Sequence, residues 1–142
     1  MLPTTTTDLA LRVTAGEFDQ AVRDWLSGGF RAAMDAAGAV PLERCLHLPR
    51  SPKKFRKMQR DRWLVDLVRA TEAPSSWARA KSVSEQLDTF LSRGPWRAWS
   101  DLKDPPPGTS NLRTALFYVA QFNDGRGLDP RTVLRVAGQL SK

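Results

Sequence analysis

The sequence holds few of the residues on which disulfides, metal sites and catalysis depend. It has one cysteine, one histidine and one tyrosine among 142 residues. A single cysteine cannot form an intrachain disulfide, so nothing points to an oxidising compartment. No apolar run approaches the roughly 18 residues of a membrane-spanning helix, and no signal peptide precedes the first predicted helix. We therefore expect a cytoplasmic protein that has no contact with a membrane.

Arrangements typical of enzymes are also missing. There is no glycine-rich phosphate loop and no GxSxG motif. Cys45 and His47 offer two ligands where a structural zinc site needs four, and as a nucleophile and base they lack a third, orienting group. We interpret them as buried residues of a connecting segment. The sequence thus predicts no catalytic residues, no metal site, no cofactor and no enzymatic activity.

What the sequence has in excess is positive charge. The 22 Lys and Arg residues outnumber the 15 Asp and Glu residues, which gives a net charge of +7. Residues 1–49 carry four basic and six acidic side chains, residues 50–103 carry thirteen and six, and residues 104–142 carry five and three. A charge gathered in one part of a chain can steer a polyanion toward that part. The alternative is that the basic residues only keep the domain soluble.

Apolar residues recur at helical spacing through most of the chain, and no stretch alternates with period two for long. The pattern predicts an all-α protein, a single compact bundle of about five or six helices. Residues 1–13 are expected to form a flexible leader. Residues 14–142 are expected to form one helical domain, acidic-leaning over 14–49 and basic over 50–142.

Capping residues predict where several helices begin and end. Thr14 and Glu17 have the spacing of a capping box and predict a first helix over 15–27, which Gly28-Gly29 should end. A second helical piece is predicted from Phe30 to Ala37. Residues 39–50, with Pro41 and Pro49 near their two ends, are predicted to be an extended connector.

The helix predicted next is the central one. Ser51 followed by Pro52 is a strong signal for a helix start, with Ser51 as the N-cap and Pro52 as the first helical residue. The helix is predicted to continue to about Thr71, and its second half is predicted to be buried. Further helices are predicted between Pro74 and Gly94, between Thr109 and Asn123, and from Asp129 onward, with a helical turn after Pro95.

The densest basic segment covers residues 50–62, where seven of thirteen residues are Lys or Arg and only Asp61 is acidic. On a helix, four of these cations project from one face within about two turns, a spacing that can follow a phosphate backbone. The alternative is a solvated helix face. The candidate phosphate contacts in this segment are Lys53, Lys54, Arg56, Lys57 and Arg60.

Five tryptophans are many for this length. Arg93 and Arg97 alternate with Trp96 and Trp99, and an exposed cluster of this kind can stack on unpaired bases. We therefore include Arg93 and Arg97 among the candidate nucleic-acid contacts. Core packing is the favoured interpretation of the tryptophans themselves, because large aromatic side chains usually anchor a core.

The C-terminal helix pair resembles helix-turn-helix repressors of the LacI type. The resemblance rests on the pairs Val119-Ala120, Thr132-Val133 and Arg135-Val136. It implies that one face of the last helix enters the major groove. Eleven residues separate the two elements here, about three more than that family has, and an ordinary helical hairpin is the alternative. The residues that the resemblance would place in the groove are Arg131, Thr132, Arg135 and Gln139.

Segments such as Trp-Ala-Arg-Ala-Lys and Pro-Trp-Arg-Ala-Trp resemble those of small basic helical proteins of prophages and mobile elements. Taken together, the charge pattern predicts a small module that binds DNA or RNA through phosphates, and a regulatory role is expected for it. The alternative is a protein–protein adaptor or inhibitor that docks on an acidic partner.

Overall fold

The computed structural model describes residues 5–140, excluding the side chains of Gln139 and Leu140. Within these residues the chain is all-helical and contains eight helices, more than the five or six predicted. They are α1 (Thr6–Thr14), α2 (Gln20–Asp35), α3 (Leu42–Cys45), α4 (Pro52–Ala70), α5 (Ser76–Ser92), α6 (Trp96–Trp99), α7 (Asn111–Phe122) and α8 (Pro130–Leu140).

The chain divides into two compact units at Met58 and Gln59, where the sequence predicts one domain. The first unit holds α1, α2, α3 and the first two turns of α4. The second unit holds the rest of α4 and the helices that follow it. None of the described helices is long and apolar enough to cross a membrane.

Helix α1 lies within the segment that we predicted to be a flexible leader. Thr5 caps it by accepting a hydrogen bond from the backbone N–H of Asp8, whose carboxylate accepts in turn from the backbone N–H of Thr5. This reciprocal pair is a capping box of Thr and Asp, which satisfies two free N–H groups of the first turn. Our prediction for residues 1–13 did not include this cap among the repeated threonines, and the flexibility of that segment stays a prediction.

The capping box predicted at Thr14 and Glu17 is absent. Thr14 is the last residue of α1, and its hydroxyl donates to the carbonyl of Leu11. Helix α2 is capped instead by Asp19, whose side chain accepts from the backbone N–H of Val22 at 3.0 Å. The start of the second helix therefore lies five residues beyond the predicted one.

Helix α2 continues through Gly28-Gly29, where we predicted a break. Gly29 is buried, and a Cβ at this position would lie 2.9 Å from Cγ of Leu46 and closer still to Cδ2. Leu46 follows the short helix α3 and is itself buried. The close approach of α2 to Leu46 thus explains a glycine in mid-helix, since no side chain fits between them.

Residues 39–50 are more ordered than an extended connector. They contain α3, and the indole N–H of Trp25 donates to the carbonyl of Leu46 at 3.0 Å. This bond joins α2 to the segment after α3 within the first unit. Within the segment His47 has a positive φ of 58° just after α3, and Ala37 and Gly38 have positive φ angles of 52° and 79° just before the segment.

Helix α4 begins as predicted. The hydroxyl of Ser51 accepts from the backbone N–H of Lys54 at 3.2 Å, and its carbonyl accepts from Phe55 at 3.0 Å. The second half of the helix, from Leu64 to Leu67, is buried, whereas its first turns are exposed. A core helix of the second unit is therefore continuous with an exposed basic segment.

The core of the second unit is formed by α4, α5, α7 and α8, with α5 in contact with α6, α7 and α8. The largest fully buried side chain is that of Phe117 in α7. Trp96 and Trp99 pack against this core, and both have ring contacts with Phe90 and Phe117. The interpretation of these two tryptophans as core residues is confirmed.

The ends of the later helices follow the predicted caps. Ser75 and Ser110 cap α5 and α7 through their hydroxyls, and Gly125 has a positive φ of 73° just after α7. The N–H of Gly125 donates to the carbonyl of Ala120 at 2.8 Å. These are the usual start and stop devices of helices, and they explain why these boundaries could be predicted.

Four apolar residues that fit the helical spacing of the sequence are exposed. Trp77 is 48% exposed and Leu112 is 41% exposed, although both fit the helical period of their elements. Each is the second residue of its helix, Trp77 in α5 and Leu112 in α7. Phe18, which precedes α2, and Ala21 are also exposed.

Candidate nucleic-acid interface

The exposed first turns of α4 position the candidate phosphate contacts. Lys53, Lys54, Arg56 and Lys57 are all exposed, and Arg50 just before the helix is exposed as well. Because Lys53 and Lys57 are four residues apart on a continuous helix, they are neighbours on its surface. Lys53, Lys54 and Lys57 make no ion pair within the part of the chain that the structure describes. We call the three lysines the lysine patch.

Arg60 does not share this exposure. Its side chain is 12% exposed, and its guanidinium donates to the carboxylate of Asp61 through Nε at 2.9 Å and Nη2 at 2.7 Å. Its Nη1 donates to the side-chain oxygen of Asn123 at 3.1 Å. The guanidinium of Arg60 thus makes its hydrogen bonds within the second unit. We therefore do not count Arg60 in the lysine patch.

Asn123 extends the Arg60 network into the loop after α7. Its amide nitrogen donates to the carbonyls of Arg126 at 2.7 Å and Gly127 at 3.2 Å. The network therefore links α4 to the loop that leads to α8. The loop also contains Asp124, which has a positive φ of 56°.

Arg93 and Arg97 are exposed at the junction of α5 and α6. The neighbouring tryptophans, Trp96 and Trp99, do not offer a stacking platform, because both are partly buried against the core. The two arginines therefore stay exposed cations without the aromatic partners that the sequence suggested.

Arg131 and Arg135 are exposed on α8, and Thr132 is partly buried. The backbone N–H of Arg131 donates to the carboxylate of Asp129 at 2.7 Å, so Asp129 occupies the start of the helix. Val133 and Val136 are buried in the core. The candidate Gln139 has its side chain outside the described part of the chain.

Helices α7 and α8 are joined by seven residues, 123–129, which is longer than the usual three or four residues of a helix-turn-helix. Val119 and Ala120, one of the three residue pairs that carry the resemblance to LacI-type repressors, are fully buried. Core packing in an ordinary helical hairpin explains apolar residues at these two positions equally well. The resemblance stays a prediction.

Cys45 and His47 do not form a buried pair. Cys45 is partly buried, with its Sγ 3.9 Å from the carbonyl of Val40, whereas His47 is exposed. The interpretation of His47 as a buried residue was wrong. Among the described residues, no group of three or more His, Cys, Asp or Glu side chains is arranged to hold a metal ion.

Two arrangements in the second unit were missed by sequence reasoning. The hydroxyl of Tyr118 donates to the carboxylate of Asp104 at 2.7 Å, and its ring stacks on Trp63 with centroids 4.6 Å apart. Burial, followed by the hydrogen bond and negative charge of Asp104, raises the pKa of Tyr118 to about 12. The second is a cleft beside Arg79, between α4, α5 and α8. Neither has a local sequence motif, because its members come from separate elements.

Comparisons of the chain with protein-family models, with curated proteins and with solved structures found no match.

Proposed function

We propose that the protein is a small, non-enzymatic module that binds DNA or RNA through phosphate contacts of the lysine patch. The observation that carries the proposal is the exposure of Lys53, Lys54 and Lys57 in the first two turns of α4. Arg50 and Arg56 are exposed in the same segment and belong to the proposed interface.

The fold itself gains nothing from positive charge at this place. Cations in the first turn of a helix oppose the helix dipole, at a cost of about 0.3–1 kcal/mol each. Like charges four residues apart also repel, by roughly 0.2–0.5 kcal/mol per pair. Lys53 and Lys54 lie in the first turn, and Lys53 and Lys57 form such a pair. An anionic partner offsets both unfavourable terms through its own attraction to these charges.

Lysine is suited to phosphate contacts that carry no sequence information. Its ammonium group is a point charge on a flexible stem, and it reaches phosphate oxygens without a fixed geometry. Binding through such contacts releases counterions and weakens steeply as salt rises. We therefore propose binding that tolerates changes of sequence and depends strongly on salt. A regulatory role and an origin in a mobile element remain predictions.

The proposal is tested by fluorescence anisotropy with a labelled duplex and a labelled single strand of the same sequence. The full chain is titrated at about 50 mM and about 200 mM salt, a range over which several phosphate contacts lose orders of magnitude in affinity. Binding at low salt that weakens strongly at high salt supports the proposal. No binding, or binding that salt does not affect, overturns it.

A second candidate function is that of an adaptor or inhibitor that docks on an acidic protein. It is favoured by two large apolar side chains on α2, Phe30 at 51% exposed and Met34 at 77% exposed, which are four residues apart on one helix face. Exposed apolar pairs of this kind are typical of protein contacts rather than of phosphate contacts. Two results together would replace the first proposal by the adaptor function. The wild type would show no affinity for nucleic acid, and F30S/M34S would abolish its capture of an acidic protein.

A further inference from the structure

A cleft of about 170 Å³ lies in the second unit between α4, α5 and α8. It is distinct from the lysine patch, which belongs to the first unit. Most of its walls are apolar, and the polar residues that line it are Ser76 and Arg79. The lining residues are Val68, Ser76, Arg79, Ala80, Leu134, Ala137 and Gly138.

Arg79 is the unusual member of this lining. Its Nε atom is buried and has no hydrogen-bond partner among the described residues. Buried N–H groups in proteins are almost always paired, and those of a cation cost more than neutral ones when they are left unpaired. Arg79 also lines the cleft and makes no ion pair within the described part of the chain, so its positive charge has no counter-charge beside it.

We infer that the cleft binds a small carboxylate with a short apolar chain. The carboxylate supplies the negative charge that Arg79 lacks, and a guanidinium matches a carboxylate in geometry. The chain of the ligand lies against Val68, Ala80 and Leu134. A cavity of about 150 Å³ holds a molecule as large as benzene, so four- to six-carbon acids fit by size.

The composition of the cleft favours this class of ligand over a phosphate. A phosphate carries more charge and requires several converging donors, whereas the polar residues lining this cleft are Arg79 and Ser76. Small-molecule sites are mostly apolar with a few placed polar groups, which matches what is seen here. The inference is independent of the nucleic-acid proposal.

The test uses sodium butyrate as the probe and follows the arginine Nε–Hε signals of the ¹⁵N-labelled full chain by NMR. Butyrate is expected to shift the Nε–Hε signal of Arg79, which is assigned by its loss in Arg79→Lys. Binding in the millimolar range is expected for a ligand of this size. Butyramide, which has the same shape without the charge, should bind at least about tenfold more weakly.

Three controls separate a built site from general charge effects. Arg69→Lys replaces an exposed arginine at the end of α4 and should leave butyrate affinity unchanged. Arg79→Lys keeps the charge but removes the Nε–H, and it should weaken binding about tenfold. Leu134→Ala shortens a wall at an exposed position and should weaken binding severalfold without loss of helicity in circular dichroism.

The inference is overturned if butyrate leaves the Nε–Hε signal of Arg79 in place, or if butyramide, chloride or inorganic phosphate shifts it equally. It is also overturned if Arg79→Lys binds butyrate as well as the wild type. None of these results bears on the lysine patch, whose binding is measured with nucleic acid.

Discussion

Arg60 and Lys57 are three residues apart on α4 and have the same charge, but they differ in surroundings. The guanidinium of Arg60 holds Asp61 and Asn123, and through Asn123 it supports the loop before α8. Lys57 is exposed. A basic run in a sequence can therefore contain both a structural residue and surface residues, and only the contacts distinguish them.

Arg60→Ala is expected to lower the free energy of unfolding by about 1–3 kcal/mol, because it leaves Asp61 and Asn123 without their donor. Lys57→Ala, the matched control, should change it by less than about 0.5 kcal/mol. Urea denaturation of both variants measures the difference. Equal stabilities would mean that the Arg60 network contributes nothing to the fold.

Tyr118 allows a second prediction at the scale of one residue. As the only tyrosine, it can be titrated by ultraviolet absorbance without interference, and its pKa is expected at about 12. Asp104→Asn removes a negative charge and should lower this pKa while burial keeps it above the ordinary 10.0. A wild-type phenol that titrates near 10, or an unchanged pKa in Asp104→Asn, would contradict the described contact.

The sign of the matching effect on stability follows from the same pKa. The folded state favours the neutral phenol, so its contribution to stability is complete below the unfolded pKa of about 10. It is lost as pH rises from there through about 12. Alkali should therefore destabilise the wild type more than Tyr118→Phe over this window.

At the scale of single elements, the two adjacent glycines of α2 make a matched pair. A Cβ at Gly28 meets nothing within 4 Å, whereas a Cβ at Gly29 collides with Leu46. Gly28→Ala should stabilise the protein by about 0.5–1 kcal/mol through helix propensity. Gly29→Ala should destabilise it by ~1 kcal/mol or more, since Leu46 is buried and cannot yield freely.

Thermal unfolding of the two glycine variants checks this prediction. A Gly29→Ala variant as stable as Gly28→Ala would show that α2 does not approach Leu46 closely. Gly29→Ala combined with Leu46→Ala tests the contact from the other side, because the smaller side chain removes the collision.

The elements that could be predicted are those whose ends are encoded by neighbouring residues. Ser51-Pro52, Ser75 and Ser110 each place a cap directly before a helix, so the starts of α4, α5 and α7 follow from local chemistry. The continuity of α2 could not be predicted, because Gly29 is explained by Leu46, a residue 17 positions away. The exposure of Trp77 could not be predicted either, since helical periodicity does not tell how far a neighbouring element extends.

The candidate site was predictable in part for the same reason. The lysine patch follows from a local run of charge on a helix whose start is encoded nearby. Arg60 is left out of the lysine patch partly because it donates a hydrogen bond to Asn123, which lies 63 residues away in the sequence. The cleft at Arg79 joins three helices, and no local pattern predicts it.

At the scale of the whole molecule, the net charge is +7. We propose that the part of this charge that binds nucleic acid lies at one end of one helix, α4. Each of the two units has its own buried residues, such as Val22 and Leu46 in the first and Phe117 in the second. The lysine patch belongs to the first unit, which also carries three exposed arginines away from α4 at Arg23, Arg31 and Arg44. These arginines provide a control with the same change of charge.

The most direct measurement of the central claim is the slope of log affinity against log salt for a labelled duplex. In B-form DNA each neutralised phosphate contributes about 0.9 to this slope. K53Q/K54Q/K57Q should reduce the slope by as much as roughly 2–3, because each lysine is proposed to contact a phosphate. R23Q/R31Q/R44Q removes the same charge and should leave the slope nearly unchanged. Equal slopes for the two triple variants would contradict the account.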